Sequence, residues 1–309
     1  MSRYDFLILG AGGTGLASAM YAARLGMKTL VLAASHGTEL PVGGIITTTD
    51  IVENYPGFAK ISGFELAKKL EEQAKNYDLI MIKEEKALEV KRIKNYFSVK
   101  TEKGSYDSRT ILFATGAKWK KLEVPGSDKF ERKGISYCAL CDAPLFRDKV
   151  VAVIGGSDSA SKEAVLLASY AKKVYIIARS TFHPEEANLK KIKANKKIEI
   201  IEGTNVTGFL GDDVLRSVTL DKAYKGKKQI VLDGVFIAIG HIPLSGLAKE
   251  IGVKVNEKEE IVINHQNSET NIPGVYAAGD VTDKGFKQLI TGVSDGCTAA
   301  YYANEFIKK

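Results

Sequence analysis

Two cysteines three residues apart, Cys138-Ala-Leu-Cys141, followed directly by Asp142, are the residues of this chain best suited to chemistry. A Cys-x-x-Cys pair can close one disulfide, and it can lower the pKa of one thiol enough to give a thiolate. The pair can therefore pass electrons to another disulfide. A neighbouring carboxylic acid can give or take protons at these sulfurs when burial raises its pKa. Asp142 is placed for that; the alternative is a carboxylate at a helix start with no proton role. A zinc site is excluded, because a lone Cys-x-x-Cys supplies two ligands and no His-x-x-x-His pair accompanies it. No metal is expected. The third cysteine, Cys297 between Gly296 and Thr298, reads as a small buried residue. Three cysteines make an odd count, which argues against a structural disulfide framework.

Glycines supply the second kind of chemistry, backbone that can approach phosphate. Gly10-Ala11-Gly12-Gly13-Thr14-Gly15 is a G-x-G-x-x-G run. The first Gly makes a tight turn, the second lets a pyrophosphate approach, and the third lets helix and strand pack closely. The helix N-terminus then faces the phosphates. Where an acid would hold ribose hydroxyls the chain has Ala33-Ala34. A related turn occurs at Gly155-Gly156-Ser157-Asp158-Ser159-Ala160. A third signal is Thr270-Asn-Ile-Pro-Gly-Val-Tyr-Ala-Ala-Gly279-Asp280, where a strand end offers a carboxylate to a sugar-like chain.

These turns need elements to hold them. Tyr4 to Gly10 reads as a buried strand, the helix after it carries Leu16, Ala19, Met20 and Ala23, and Lys28 to Leu32 reads as the next strand. The second unit has a strand at Val150 to Ile154, a helix to about Ala171 and a strand at Val174 to Ala178. Ile111 to Gly116 and Val235 to Gly240 are strand ends at which the chain can cross between domains. Ile192 to Ile201 and Val214 to Val231 alternate as strands, with a turn at Lys225-Gly226. The expected fold is α/β, with two dinucleotide-binding (Rossmann-like, three-layer) domains, the second inserted into the first. The first domain is discontinuous, 1–117 and 242–309; the insert is 118–241.

Composition agrees with two folded domains. The chain has 309 residues, 45% of them hydrophobic and 26% charged, and its apolar runs fall well short of the roughly 18 residues needed to cross a bilayer. The strand-like start, Met1 to Gly10, has no basic region ahead of an apolar segment, so a cytoplasmic protein is expected. Neither a nucleic acid nor a membrane is expected as a partner. The net charge of +7 sits within 118–241, which holds 22 Lys and Arg against 15 Asp and Glu. Lys190, Lys191, Lys193, Lys196 and Lys197 form one cluster; Lys222, Lys225, Lys227 and Lys228 form another. Such clusters are either solvated faces or a surface for an anionic partner.

Taken in order, Gly10-x-Gly12-x-x-Gly15, Gly43-Gly44-Ile45-Ile46-Thr47-Thr48-Thr49, Val52-Glu53-Asn54-Tyr55-Pro56-Gly57, Ala114-Thr115-Gly116, Cys138-Ala-Leu-Cys141-Asp142 and Gly274-Val-Tyr-Ala-Ala-Gly279-Asp280 resemble the low-molecular-weight thioredoxin reductases over essentially the whole chain. The resemblance implies an FAD-dependent disulfide reductase, a homodimer, whose domains rotate relative to each other. Gly10, Gly12, Gly13, Thr14 and Gly15 would hold the FAD pyrophosphate. Gly43, Gly44, Ile45, Asn54, Ala114, Thr115 and Gly116 would line the flavin or its adenosine half. Gly279 and Asp280 would hold the ribityl chain. Lys287-Gln288-Leu289 matches the family's Arg-Gln-Ala at the flavin, with Lys for Arg. Cys141 would take electrons from the flavin, Cys138 would attack the disulfide of thioredoxin, and Asp142 would be the nearby acid.

The second unit departs from the family. Ser157 replaces the middle glycine of Gly-x-Gly-x-x-Ala. The family's His-Arg-Arg-Asp-x-Phe-Arg, which grips the 2′-phosphate of NADPH, is here Ile177-Ala178-Arg179-Ser180-Thr181-Phe182-His183. Only Arg179 remains, and a neutral group does not replace a guanidinium fork. Gly240-His241-Ile-Pro243 is kept, but Leu244-Ser245 follows it. Gly155, Gly156, Ser157, Ser159, Arg179 and Gly240 are the candidate nicotinamide site. The donor expected from the family is NADPH or NADH; reduced ferredoxin, which is acidic and would suit the basic insert, and a deazaflavin are the alternatives. The acceptor that the resemblance implies is thioredoxin, or another dithiol protein such as a peroxidase component.

Overall fold

The computed structural model describes residues 4–34 and 42–309; of the strand-like start, residues 1–3 lie outside them. The chain divides into two compact units, Met1–Lys118 with Ile242–Lys309, and Trp119–His241.

The first unit opens on β1 (Tyr4–Leu9), α1 (Gly13–Arg24) and β2 (Thr29–Ala34). A 3-10 turn spans Gly44–Thr48, and α2 (Gly63–Lys75) follows, its first turn capped by Ser62 Oγ accepting the Glu65 N–H at 3.1 Å. β3 (Ile80–Ile93) pairs parallel with β2 in its first half. Its second half turns back through β4 (Tyr96–Thr101), which pairs antiparallel with it and with β5 (Ser105–Phe113). β5 returns to lie parallel beside β1. β6 (Ala117–Trp119) then carries the chain out of the unit.

The second unit begins with α3 (Ser127–Phe130), β7 (Ile135–Ser136) and α4 (Ala139–Asp142). β8 (Val150–Ile154), α5 (Asp158–Ala168), β9 (Lys173–Ile177), α6 (Glu186–Ala194) and β10 (Ile198–Ile201) follow. An antiparallel meander comes next, β11 (Val206–Gly211), β12 (Leu215–Tyr224) and β13 (Lys227–Val231), before β14 (Gly234–Ile237). The parallel sheet runs in the order β10-β9-β8-β14-β7. Along β8 and β9, Val151, Val153, Val174 and Ile176 face the helices; Ala152, Ile154 and Ile177 face the meander. The unit is thus three layers, and a strand buried on both faces reads as a continuous apolar run.

The chain re-enters the first unit through β15 (His241–Pro243) and α7 (Gly246–Glu250), then β16 (Val275–Ala277) and α8 (Leu289–Lys308). β16 adds parallel to β5, giving the parallel order β3-β2-β1-β5-β16. Alternate residues of β1 bury on opposite faces: Leu7 and Leu9 against Val253 and Ile263, Phe6 and Ile8 against α1 and α8.

Two readings of the sequence need correction. Ile192 does not begin a strand. It lies in the last turn of α6, buried, with the partly buried Leu189 one turn earlier, and over so few residues a helical period resembles alternation. The strand begins only at Ile198, after Asn195 leaves the helix. The turn at Lys225-Gly226 does join β12 and β13, with both residues at positive φ, 48° and 79°. Cys297 is half-buried rather than buried. It lies on α8 beside the small residues that face α1, at the margin of that contact, and burial still pushes its thiol up to about 11. Among the described residues no helix is long and apolar enough to cross a membrane.

Candidate active site and cofactor cradle

In the first unit, the glycine run folds because particular atoms leave no room for a side chain. A Cβ on Gly15 would lie 1.9 Å from Gly10 O, and one on Gly10 2.2 Å from Ala114 O. Gly12 differs. Its Cβ would point into space whose nearest atom is Gly43 O, 3.8 Å away. α1 begins directly after it, with no acid in its first turn and no side chain capping its N–H groups. An open backbone surface at an uncapped helix start fits a pyrophosphate.

Other candidate residues converge on this turn. Gly43 N–H donates to Ala11 O at 2.7 Å, and Gly44 packs on Gly12. α8 backs onto α1 because Gly292 and Gly296 leave room for Thr14, and Leu289 closes on Gly13. Asn54 Nδ2 donates to Gln288 Oε1 at 3.0 Å, so two motifs 234 residues apart share one corner. Gln288 is also the N-cap of α8, paired reciprocally with Thr291. Thr115 Oγ1 donates to Leu244 O at 2.7 Å, fixing the turn after β5. Ile45 is the exception: its side chain is exposed on the outer face of the 3-10 turn.

Lys287 shows a role the sequence did not. Its ammonium donates to Asp280 O at 2.8 Å and Thr282 O at 2.5 Å, and pairs with Glu260 at 2.9 Å. Glu260 is buried and also takes Asn256 Nδ2 at 2.8 Å. Lys287 therefore shapes the Gly279–Asp280 turn from inside the protein. No local pattern around Glu260 signals this, because the pairing spans 27 residues.

We expect the two glycines to separate stability from cofactor affinity. Gly15→Ala should destabilise the fold by about 1–3 kcal/mol or more, since its Cβ overlaps backbone. Gly12→Ala should fold normally and lose FAD affinity. Thermal melts of both variants with and without FAD test this; equal melts and equal FAD retention would remove the cradle from this turn.

In the second unit, α4 carries the two cysteines. It rests on α5 through small residues, Ala139 and Ala143 against Ala160 and Ala164. Cys138 and Cys141 are disulfide-bonded, with Cα atoms 5.3 Å apart, and Cys138 Sγ accepts the Cys141 N–H at 3.2 Å. Ser136, at the end of β7, joins the parts. Its hydroxyl donates to Asp142 Oδ2 at 2.5 Å and accepts the Cys138 N–H at 3.2 Å. Ser136 is buried and was not singled out by sequence; its signal is a polar residue two before the first cysteine. Next to Cys138, the Tyr137 ring stacks with Trp119 at 6.3 Å. Burial, with Glu131 and Asp128 nearby, pushes the Tyr137 hydroxyl up to about 12.

The second glycine turn is tighter and more occupied. A Cβ on Gly155 would lie 2.4 Å from Ala238 O, and Gly156 O accepts the His183 N–H at 2.9 Å. Ser157 and Ser159 are exposed, as is Arg179. Asp158 pairs with Lys162 at 2.7 Å and accepts Asn188 Nδ2 and the Glu185 N–H at 2.8 and 3.0 Å. These contacts hold its carboxyl below the usual range even though burial opposes them. Gly240 O accepts the Lys120 N–H at 3.0 Å at the far end of the unit's chain. Several lysines of the basic clusters serve the fold: Lys197 donates to Ala168 O and Ala171 O, Lys222 to Gly203 O, and Lys190 pairs with Glu186.

A glycine cradle in a discontinuous α/β unit and a bonded Cys-x-x-Cys in an inserted one define a class. The family model of pyridine nucleotide-disulphide oxidoreductases matches residues 4–296, and the chain belongs to that family. Among relatives, a thioredoxin reductase of Treponema pallidum is 36% identical over 310 residues, covering 98% of this chain and 97% of its own. The solved thioredoxin reductase of Streptococcus pyogenes is 32% identical with a TM-score of 0.88, covering 99% of this chain and 98% of its own. A ferredoxin-flavin thioredoxin reductase of Clostridium acetobutylicum is 31% identical with a TM-score of 0.52, covering 99% of this chain and 98% of its own.

Proposed function

We propose that the chain is an FAD-dependent thioredoxin-disulfide reductase, with Met1–Lys118 and Ile242–Lys309 as the FAD domain and Trp119–His241 as the domain that presents the redox pair. The bonded Cys138–Cys141 on α4, tied to Asp142 through Ser136, carries this reading. Gly12, Gly44 and the start of α1 would hold the FAD pyrophosphate, with Asn54, Gln288 and Asp280 along the rest. When bound, the flavin supplies a two-electron carrier between the donor and the disulfide.

The protein's own residues do the exchange. Two electrons and two protons convert Cys138–Cys141 to a dithiol. The Cys138 thiolate attacks the partner's disulfide, forming a mixed disulfide and releasing one partner thiolate. The Cys141 thiolate then attacks Cys138 Sγ, so the second partner thiol leaves and the Cys138–Cys141 bond re-forms. Asp142, oriented by the Ser136 hydroxyl that donates to it, is the carboxyl group that would give or take protons at these sulfurs. Asp142→Asn should slow turnover without changing FAD content; unchanged turnover across the pH range would leave Asp142 a structural carboxylate.

The donor is a nicotinamide dinucleotide, NADPH or NADH, held over the second glycine turn. A second reading, electron entry from reduced ferredoxin, is favoured by the net +7 of residues 118–241 and by Arg179 standing alone. The deciding experiment adds NADPH, NADH and reduced ferredoxin separately to the yellow, FAD-loaded protein without oxygen, and follows flavin bleaching and thioredoxin reduction. A protein that cannot be reconstituted with FAD overturns the reductase reading. Bleaching by ferredoxin alone, weakening as salt rises, selects the second donor.

A further inference from the structure

The carboxyl edge of the second unit's sheet is held in register. Ile154, Ile177 and Ile201 pair across β8, β9 and β10, Gly155 N–H donates to Ile177 O at 3.0 Å, and Ala178 N–H donates to Ile201 O at 2.8 Å. Three turns therefore leave one edge side by side: Gly155–Ser157, Ala178–Phe182 and Glu202–Thr204. An open parallel sheet binds a dinucleotide over this edge, with pyrophosphate at the first turn and the adenosine ribose by the end of the second strand. A carboxylate there reads a free 2′-hydroxyl, and an arginine reads a 2′-phosphate.

The end of β9, Ala178-Arg179-Ser180, has no acid of its own. The neighbouring turn brings one to it. Glu202 Oε1 accepts the Phe182 N–H at 2.7 Å. The two turns are also tied by Gly203 N–H to Ser180 O at 3.3 Å and Thr204 N–H to Ala178 O at 3.1 Å. On the other side, His183 N–H to Gly156 O fixes the same loop to the glycine turn. Glu202 is exposed, and the bond from the Phe182 N–H sets its carboxylate beside the loop that follows β9.

We propose that Glu202 is the specificity-determining residue of this edge, selecting a nicotinamide dinucleotide with a free 2′-hydroxyl and turning away one with a 2′-phosphate. The proposal rests on the nicotinamide reading of the donor. A 2′-phosphate would bring close to two negative charges against a carboxylate that backbone hydrogen bonding holds in place, with Arg179 as the single guanidinium on the loop. Hydroxyls of an unphosphorylated ribose carry no such penalty and can donate to the carboxylate.

The test is equilibrium binding of NADH and of NADPH to the FAD-loaded protein, for the parent and for Glu202→Gln, which keeps an acceptor for the Phe182 N–H. The parent should bind NADH more tightly. Glu202→Gln should shift the NADPH-to-NADH affinity ratio about tenfold toward NADPH, the scale of one close charge repulsion near a wet surface. Glu186→Gln, an exposed acid at the start of α6, should leave the ratio unchanged. A parent that prefers NADPH, or a ratio unmoved by Glu202→Gln, overturns the proposal. If neither dinucleotide binds either protein at millimolar concentration, the proposal falls together with the nicotinamide donor. Flavin reduction by reduced thioredoxin in the same sample would still uphold the disulfide reductase.

Discussion

Replacing either cysteine of the bonded pair with serine should abolish thioredoxin reduction, by at least about 10³-fold, while FAD stays bound. The two sulfurs act as one exchange unit, so removing one leaves no path for the electron pair. The proposed FAD cradle lies in the first unit and Cys138 and Cys141 lie in the second, so FAD content should not follow activity. The variants should then differ in one respect. Cys141→Ser keeps the attacking thiol and lacks the one that resolves. With a thioredoxin bearing a single cysteine, activated by a good leaving thiol, it should accumulate a stable mixed disulfide. Cys138→Ser should accumulate far less. The opposite result would exchange the roles of the two cysteines, and retained turnover in either variant would remove the pair from the reaction.

Glu163→Gln should stabilise the protein above neutral pH and have no such effect in acid. Glu163 lies on α5, and among the described residues its buried Oε2 has no hydrogen-bond partner. Burial alone pushes its carboxyl up from 4.5 to about 7. The folded state therefore holds this proton more tightly than the unfolded chain does. Its stabilising effect is complete below the unfolded pKa and is lost as pH rises through about 7. Above that point the folded protein carries a buried charge at a cost of about 3 kcal/mol, which the neutral amide avoids. Denaturant melts of parent and variant at pH 4.5 and pH 8.5 should diverge only at the higher value. Curves that stay parallel across this range would show that Glu163 is satisfied in solution.

Much of this architecture was legible in the sequence because its signals are local. The buried strands β1, β8 and β14 are short apolar runs, and the glycines at 10, 12 and 15 stand where backbone must approach backbone or phosphate. Cys-x-x-Cys is local too. What could not be read depends on distant partners. Nothing near Lys287 says that its ammonium will be spent on Asp280 O and Glu260. Ser136 looks like any serine until β7 sets it between Cys138 and Asp142. Glu163 and Glu202 are ordinary helix and turn acids in sequence; one is set apart by the apolar surface that covers it, the other by the loop whose N–H it accepts. Ile192 is ambiguous for the converse reason: a nine-residue helix offers too few turns to distinguish its period from a strand's.

The contact between α1 and α8 also fixes an order of events during synthesis. The glycine turn at the start of the chain is completed by Gly292, Gly296 and Leu289 near its end, and β16 reaches β5 only after the whole insert has been made. The insert is contiguous and carries its own parallel sheet and meander, so it can fold while the ribosome is still adding residues. The first unit must wait, with β1, β2 and β5 exposing apolar surface on what will be the α8 face. On the proposed reading, FAD would meet its cradle only after residues 289–296 have been made and docked, when the insert can already be folded.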